Sequence, residues 1–126
     1  GDYRADNLLF GGPRVVVVDW QTVGLGPGSA DLAYLLGASI LPEVRREHER
    51  SLLERYAEGL RAQGVTVDTD MLWTGYRRAA FGSLLMAVVA SILVEQTDRG
   101  DEMFIAMAER PADMALDLDS ETLLAG

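Results

Sequence analysis

Only two short stretches of this chain read as β-strand, and both lie ahead of residue 19. They are NLLF (7–10) and VVVV (15–18), joined by GGPR, whose glycines and proline signal a turn. An uninterrupted valine run suits a strand covered on both faces. After Asp19 the segment WQTVGLGPGSAD is rich in glycine and has no periodicity, so it reads as a loop. Everything beyond it reads as helix. Ser29 is the expected N-cap of a helix through DLAYLLGASIL, with Asp31 in its first turn where the helix dipole favours negative charge. Pro42 ends that helix and opens the next.

The second helix spans 43–63, with Val44, Leu52, Leu53, Tyr56, Ala57 and Leu60 on one side and Glu and Arg on the other. Gly64 closes it. Asp68, Thr69 and Asp70 offer caps for a long helix reaching about Glu95. A break over 97–101 precedes a last helix, bent or interrupted at Pro111, and the tail DSETLLAG adds a final turn. The expected fold class is mostly α with a short β-hairpin: one hairpin, then four helices.

Size and composition narrow the function. At 126 residues the chain is one domain or part of one, large enough to bury a core. It has no cysteine, which removes disulfides and thiolate chemistry and argues against a four-ligand zinc site. The net charge of −9 speaks against nucleic acid, whose binding rests on basic contacts to phosphate. It suits a cationic ligand, or simply a soluble charged surface. All eleven basic residues are arginine. The most apolar run, AAFGSLLMAVVASILV (79–94), falls short of the roughly 20 residues a membrane span needs. It reads as a buried core helix, and no membrane partner is expected. The expected location is cytoplasmic.

The chemistry lies in the opening stretch, GDYRADNLLF. Antiparallel strands put the start of the first beside the end of the second, so Asn7 and Asp19 converge at the hairpin edge away from GGPR. Asp2, five residues before Asn7, sits in a loop that passes the same edge. Two carboxylates and a carboxamide are hard oxygen donors, better suited to magnesium than to zinc or copper. Phosphoryl transfer asks for such a set: an aspartate that takes the acceptor's proton, and an asparagine and second aspartate that hold metal on the phosphates. The spacing Asp2-x-x-x-x-Asn7, a hairpin and then Asp19 matches the order of those parts in kinases. Hairpin-flanking Asp and Asn are also ordinary turn formers, and that reading stands beside the chemical one.

GDYRADNLLF followed by VVVVDWQTVGLGPGSADLAYLL resembles the aminoglycoside phosphotransferase and ecdysteroid-kinase-like (choline-kinase-like) group of small-molecule kinases. The likeness is strong from Gly1 to about Leu36. The helical remainder fits that group's C-terminal lobe less specifically. The resemblance implies the helical C-terminal lobe of a protein-kinase-like fold, with catalytic loop, hairpin and metal loop over 1–28 and a helical subdomain over 29–126. It further implies that Asp2 is the catalytic base, that Asn7 and Asp19 bind Mg2+ and through it ATP, and that Asp31 braces the catalytic loop. Asp31 as simple first-turn charge remains an equal alternative. Arg4 either approaches phosphate or pairs with a carboxylate such as Asp6, and pairing is favoured.

The sequence departs from the pattern in places. Trp20-Gln21 stands where protein kinases have Phe-Gly, and Gln21 occupies a position where many relatives have a carboxylate. GLGPG lacks the Lys-Ser/Thr of a P-loop. The resemblance also implies a preceding lobe carrying a phosphate-binding lysine. No lysine is present, so that N-terminal lobe is expected to be absent from this chain, which is expected to be inactive alone and able to self-associate. His48, the only histidine, lies on a solvated helix face. Trp73, Tyr76 and Phe81 read as core, and Met103, Met107 and Met114 as gap fillers between helices. Two functions follow. One is an ATP-dependent O-phosphotransferase acting on a small hydroxylated acceptor, with a pocket from the helices after Ala30 whose acidic residues receive a cationic substrate. The other is a non-catalytic helical interaction module.

Overall fold

The turn residues and the helix breakers set the architecture. The computed structural model describes residues 1–93 and 98–124. A 3-10 turn, Ala5–Asn7, leads into a hairpin of β1 (Leu8–Leu9) and β2 (Val16–Val17), paired antiparallel with Leu8 opposite Val17 and Leu9 opposite Val16. Four helices follow: α1 (Gly28–Ser39), α2 (Pro42–Ala62), α3 (Thr69–Leu93) and α4 (Asp98–Asp117), then a 3-10 turn, Ser120–Leu123. The strands are shorter than expected, and the valine run is not covered on both faces. Val15 and Val16 are about half exposed, because no further strand pairs with β2 among the described residues.

Helix ends follow local chemistry. α1 starts two residues earlier than expected, with Pro27 in extended backbone at the N-cap. Ser29 does not cap. It lies inside the first turn, buried, where a Cβ on Gly75 of α3 would come within 2.8 Å of its Oγ. The side chain is spent on packing α1 against α3. Pro42 occupies the first turn of α2, where its missing N–H costs nothing. Gly64, at φ +80°, ends α2 with Val65 N–H donating to Leu60 O and Gly64 N–H to Arg61 O. Asp68 caps α3, its Oδ1 accepting from the N–H groups of Asp70 and Met71 at 2.9 and 3.0 Å.

α4 already includes residues 98–101, so helix replaces the expected break there. It also runs through Pro111 without interruption. Val94, Glu95 and Thr97, on which the expected end of α3 and start of the break fall, lie outside the described residues, as does the Met103 side chain.

The core is formed by Ala33, Leu36, Leu53, Tyr76, Ala80, Met114, Ala115 and Leu118, one patch from each helix. Trp73 and Phe81 pack against it, and Trp73 stacks on Tyr76 with ring centroids 5.6 Å apart. Gly37 admits α4 closely, since a Cβ there would lie 2.9 Å from Met114 Sδ. The second half of α3 is not a buried core helix. Leu85, Met86, Val88, Val89 and Ile92 are exposed, while Ser83 and Ala87 are the buried residues among those described along that stretch. Among the described residues no helix is long and apolar enough to cross a membrane.

α2 does not sort its charges to solvent as expected. Arg45 is 1 % exposed and Glu49 7 %. Arg45 Nη1 donates to Glu49 Oε2 at 2.7 Å, Tyr76 Oη donates to the same oxygen at 3.1 Å, and Arg45 Nη2 pairs with Asp117 Oδ2 of α4. Arg46 Nε adds a 2.7 Å bond to Asp117. Burial opposes ionisation of Asp117, but the two guanidinium groups outweigh it and hold its carboxyl below the usual range. Burial first, then the Glu49 carboxylate, push the Tyr76 phenol far up.

Candidate functional site

The 3-10 turn folds the chain so that Asn7 points back at Asp2. Asn7 is 7 % exposed, and its Nδ2 donates to Asp2 O at 2.7 Å and to Asp2 Oδ2 at 3.1 Å. Both partners are pure acceptors, so the amide nitrogen must face them. The Asn7 Oδ1 therefore faces away from Asp2. On its other side Asn7 O accepts from Val18 N–H at 2.9 Å, which continues the hairpin ladder by one bond and sets Asp19 next to it in the chain. Asp19 has φ +61°, a left-handed conformation that costs a non-glycine residue about 1–2 kcal/mol. It is exposed, and among the described residues its carboxylate accepts no hydrogen bond and forms no ion pair.

Arg4 sits closer to Asp2 than to Asp6. Its Nε is 3.3 Å from Asp2 Oδ2, whereas Nη1 is 3.9 Å from the exposed Asp6 Oδ2. The Nε contact is an ion pair without hydrogen-bond geometry, since that atom is buried and has no hydrogen-bond partner. Arg4 Nη1 also reaches Met107 Sδ of α4 at 3.9 Å. Asp31 of α1 accepts from Gly1 N at 3.0 Å. Thr22 Oγ1 accepts from Asp2 N–H at 3.1 Å, and Ser39 Oγ at the end of α1 accepts from Ala5 N–H at 2.9 Å. The hairpin exit and α1 thus fasten the 1–7 loop from two sides.

The structure joins Asp2, Asn7 and Arg4 directly, links Asp19 through the hairpin backbone, and links Asp31 through Gly1. Thr22, Ser39 and Met107 were not singled out from the sequence as parts of the site. The profile of the phosphotransferase enzyme family (APH) matches residues 1–81. The chain belongs to the phosphotransferase enzyme family. Comparison with curated proteins and with solved structures returns no match. The matched residues run from the Asp2 loop through the hairpin, α1 and α2 into α3.

The donor set fits a hard divalent cation. Asn7 Oδ1 and the Asp19 carboxylate are oxygen donors whose hydrogen-bond geometry leaves them available. Among the described residues no group of three or more Asp, Glu, His or Cys could hold a metal. Magnesium is commonly held by one or two carboxylates together with substrate phosphates, so such a cluster is not required for it. Elsewhere His48 is exposed and sits in no such cluster.

Proposed function

We propose that the chain carries the catalytic edge of an ATP-dependent O-phosphotransferase that moves the γ-phosphate to a hydroxyl of a small acceptor. The observation that carries this is the Asn7 amide fastened to Asp2 while the neighbouring Asp19 carboxylate is left without a protein partner among the described residues. Asp2 accepts the acceptor's hydroxyl proton. As the acceptor oxygen bonds to the γ-phosphorus, the bond from that phosphorus to the bridging oxygen breaks, and ADP leaves. Asn7 and Arg4 hold the Asp2 carboxylate in place, so its geometry is set before substrate arrives. Asn7 Oδ1 and Asp19 would hold Mg2+, which when bound neutralises phosphate charge.

The hairpin and helices are read as the helical C-terminal lobe of a protein-kinase-like fold. The chain has no lysine, so the phosphate-binding lysine of such a fold is not among these residues. With a net charge of −9, the acceptor is read as a hydroxylated compound that carries positive charge. A helical interaction module is the second reading, favoured by the exposed Leu85, Val89 and Ile92 on α3. The test uses the protein isolated from its native source, γ-labelled ATP, magnesium and a panel of hydroxylated amines. Label transfer that Asp2→Asn removes supports the phosphotransferase reading. Absence of transfer to any acceptor, with no binding of magnesium–ATP, supports the module.

A further inference from the structure

The loop that carries Asp2 and the turn that follows β2 meet at one hydrogen bond. Thr22 Oγ1 accepts from Asp2 N–H at 3.1 Å, and among the described residues it is the acceptor that this N–H meets. The two segments pass close there, since a Cβ on Gly1 would lie 3.4 Å from both Thr22 O and Thr22 Oγ1. Thr22 is exposed and belongs to no part of the core, so packing does not call for its hydroxyl. The turn that presents it is itself fixed. Val23 N–H donates to Trp20 O at 3.0 Å, and Trp20 Nε1 donates back to Val17 O of β2 at 3.0 Å. Asp19 stands directly before Trp20 at the start of that turn.

We propose that Thr22 is a positioning residue that ties the backbone of Asp2 to the turn carrying Asp19, so that the general base and the cation ligand are held as one unit. This inference rests on the phosphotransferase reading for its catalytic consequence. Hydrogen bonds close a ring around the site. Thr22 Oγ1 holds Asp2 N–H, Asn7 Nδ2 holds Asp2 O and Oδ2, and Asn7 O accepts from Val18 N–H beside Asp19. Asn7 and Arg4 grip the carbonyl and carboxylate of Asp2, which leaves its N–H to Thr22. Without the Thr22 hydroxyl the ring opens on the Asp2 side alone, because Trp20 keeps the turn pinned to β2. The carboxylate then pivots with its own backbone relative to Asp19, and a small displacement of a general base costs rate. The consequence falls on the chemical step, because Asn7 and Asp19 keep their places at the hairpin edge.

Two readouts test it. Thr22→Val keeps the branched shape and removes the acceptor, whereas Thr22→Ser keeps the acceptor. Amide hydrogen exchange is followed by NMR on the isotopically labelled chain, with Ala5 N–H, held by Ser39 Oγ at 2.9 Å, as the internal control. Asp2 N–H is expected to exchange about ten-fold faster in Thr22→Val than in the wild type or Thr22→Ser, with Ala5 unmoved. An unchanged Asp2 rate in Thr22→Val overturns the contact. Equal acceleration at Asp2 and Ala5 overturns the positioning role and makes Thr22 a general support of the fold. In the natively isolated protein, Thr22→Val is expected to lower kcat by roughly ten-fold with the KM for ATP within about two-fold, and Thr22→Ser to restore most of it. An unchanged kcat, or a loss that Thr22→Ser does not restore, overturns the catalytic consequence. A wild type without turnover overturns the phosphotransferase reading instead, and the exchange comparison then decides the Thr22–Asp2 tie by itself.

Discussion

The side-chain amide nitrogen of Asn7 donates to Asp2 twice, to the backbone carbonyl at 2.7 Å and to the carboxylate at 3.1 Å. Asn7→Asp replaces two donors with a second carboxylate facing the first. The loop should lose about 1–3 kcal/mol of stability, the cost of buried acceptors left unpaired. Urea unfolding of the variant measures this directly. A midpoint equal to that of the wild type would show that the amide does not hold the loop.

The buried Arg45–Glu49 pair yields a second outcome. Arg45→Met leaves the buried Glu49 without a cation and Asp117 with Arg46 alone, and should destabilise by about 3–5 kcal/mol. Adding Glu49→Leu to Arg45→Met should recover part of that loss, since the uncompensated charge is removed. Chemical denaturation of the single and double variants provides the check.

Asp117 gives stability a pH dependence. Its folded carboxyl lies below the usual value, so the contribution is present above the ordinary aspartate pKa and is lost as pH falls through the folded value. Unfolding free energy should therefore drop below about pH 4, and Asp117→Asn should flatten that part of the curve. Denaturation series from pH 6 downward compare the two proteins.

Gly75 and Ser29 form a packing pair between α3 and α1. A Cβ at residue 75 would meet Ser29 Oγ at 2.8 Å, and Ser29 is nearly fully buried. Gly75→Ala should cost about 1–3 kcal/mol through overpacking. Ser29→Ala removes the clashing oxygen, so the double variant should be more stable than Gly75→Ala alone. Equal stability of the two would show that the helices shift apart freely.

These sites differ in how readable they were. GGPR, Pro42, Gly64 and Asp68 act through their own backbone and near neighbours, so the hairpin, two helix ends and a cap were legible in the sequence. The placement of Asn7 beside the end of the second strand followed from antiparallel pairing, and Val18 N–H donates to Asn7 O. Arg45 and Glu49 misled because helical patterning assigns charged residues to solvent, and Arg45's second partner, Asp117, lies 72 residues away. Ser29 looked like a cap, yet its environment is set by a glycine on another helix. The second half of α3 is apolar apart from Ser83 and Ser91, and pattern alone did not reveal that one side of it stays exposed.

The most direct test of the account is cation binding at the hairpin edge. Mn2+, a paramagnetic stand-in for magnesium, is added with ATP to the isotopically labelled chain, and backbone amide line widths are followed by NMR. The account predicts broadening centred on Asn7 and Asp19, reversed by excess magnesium and lost in Asp19→Ala. Broadening spread over the acidic helices, or unchanged by Asp19→Ala, would contradict it.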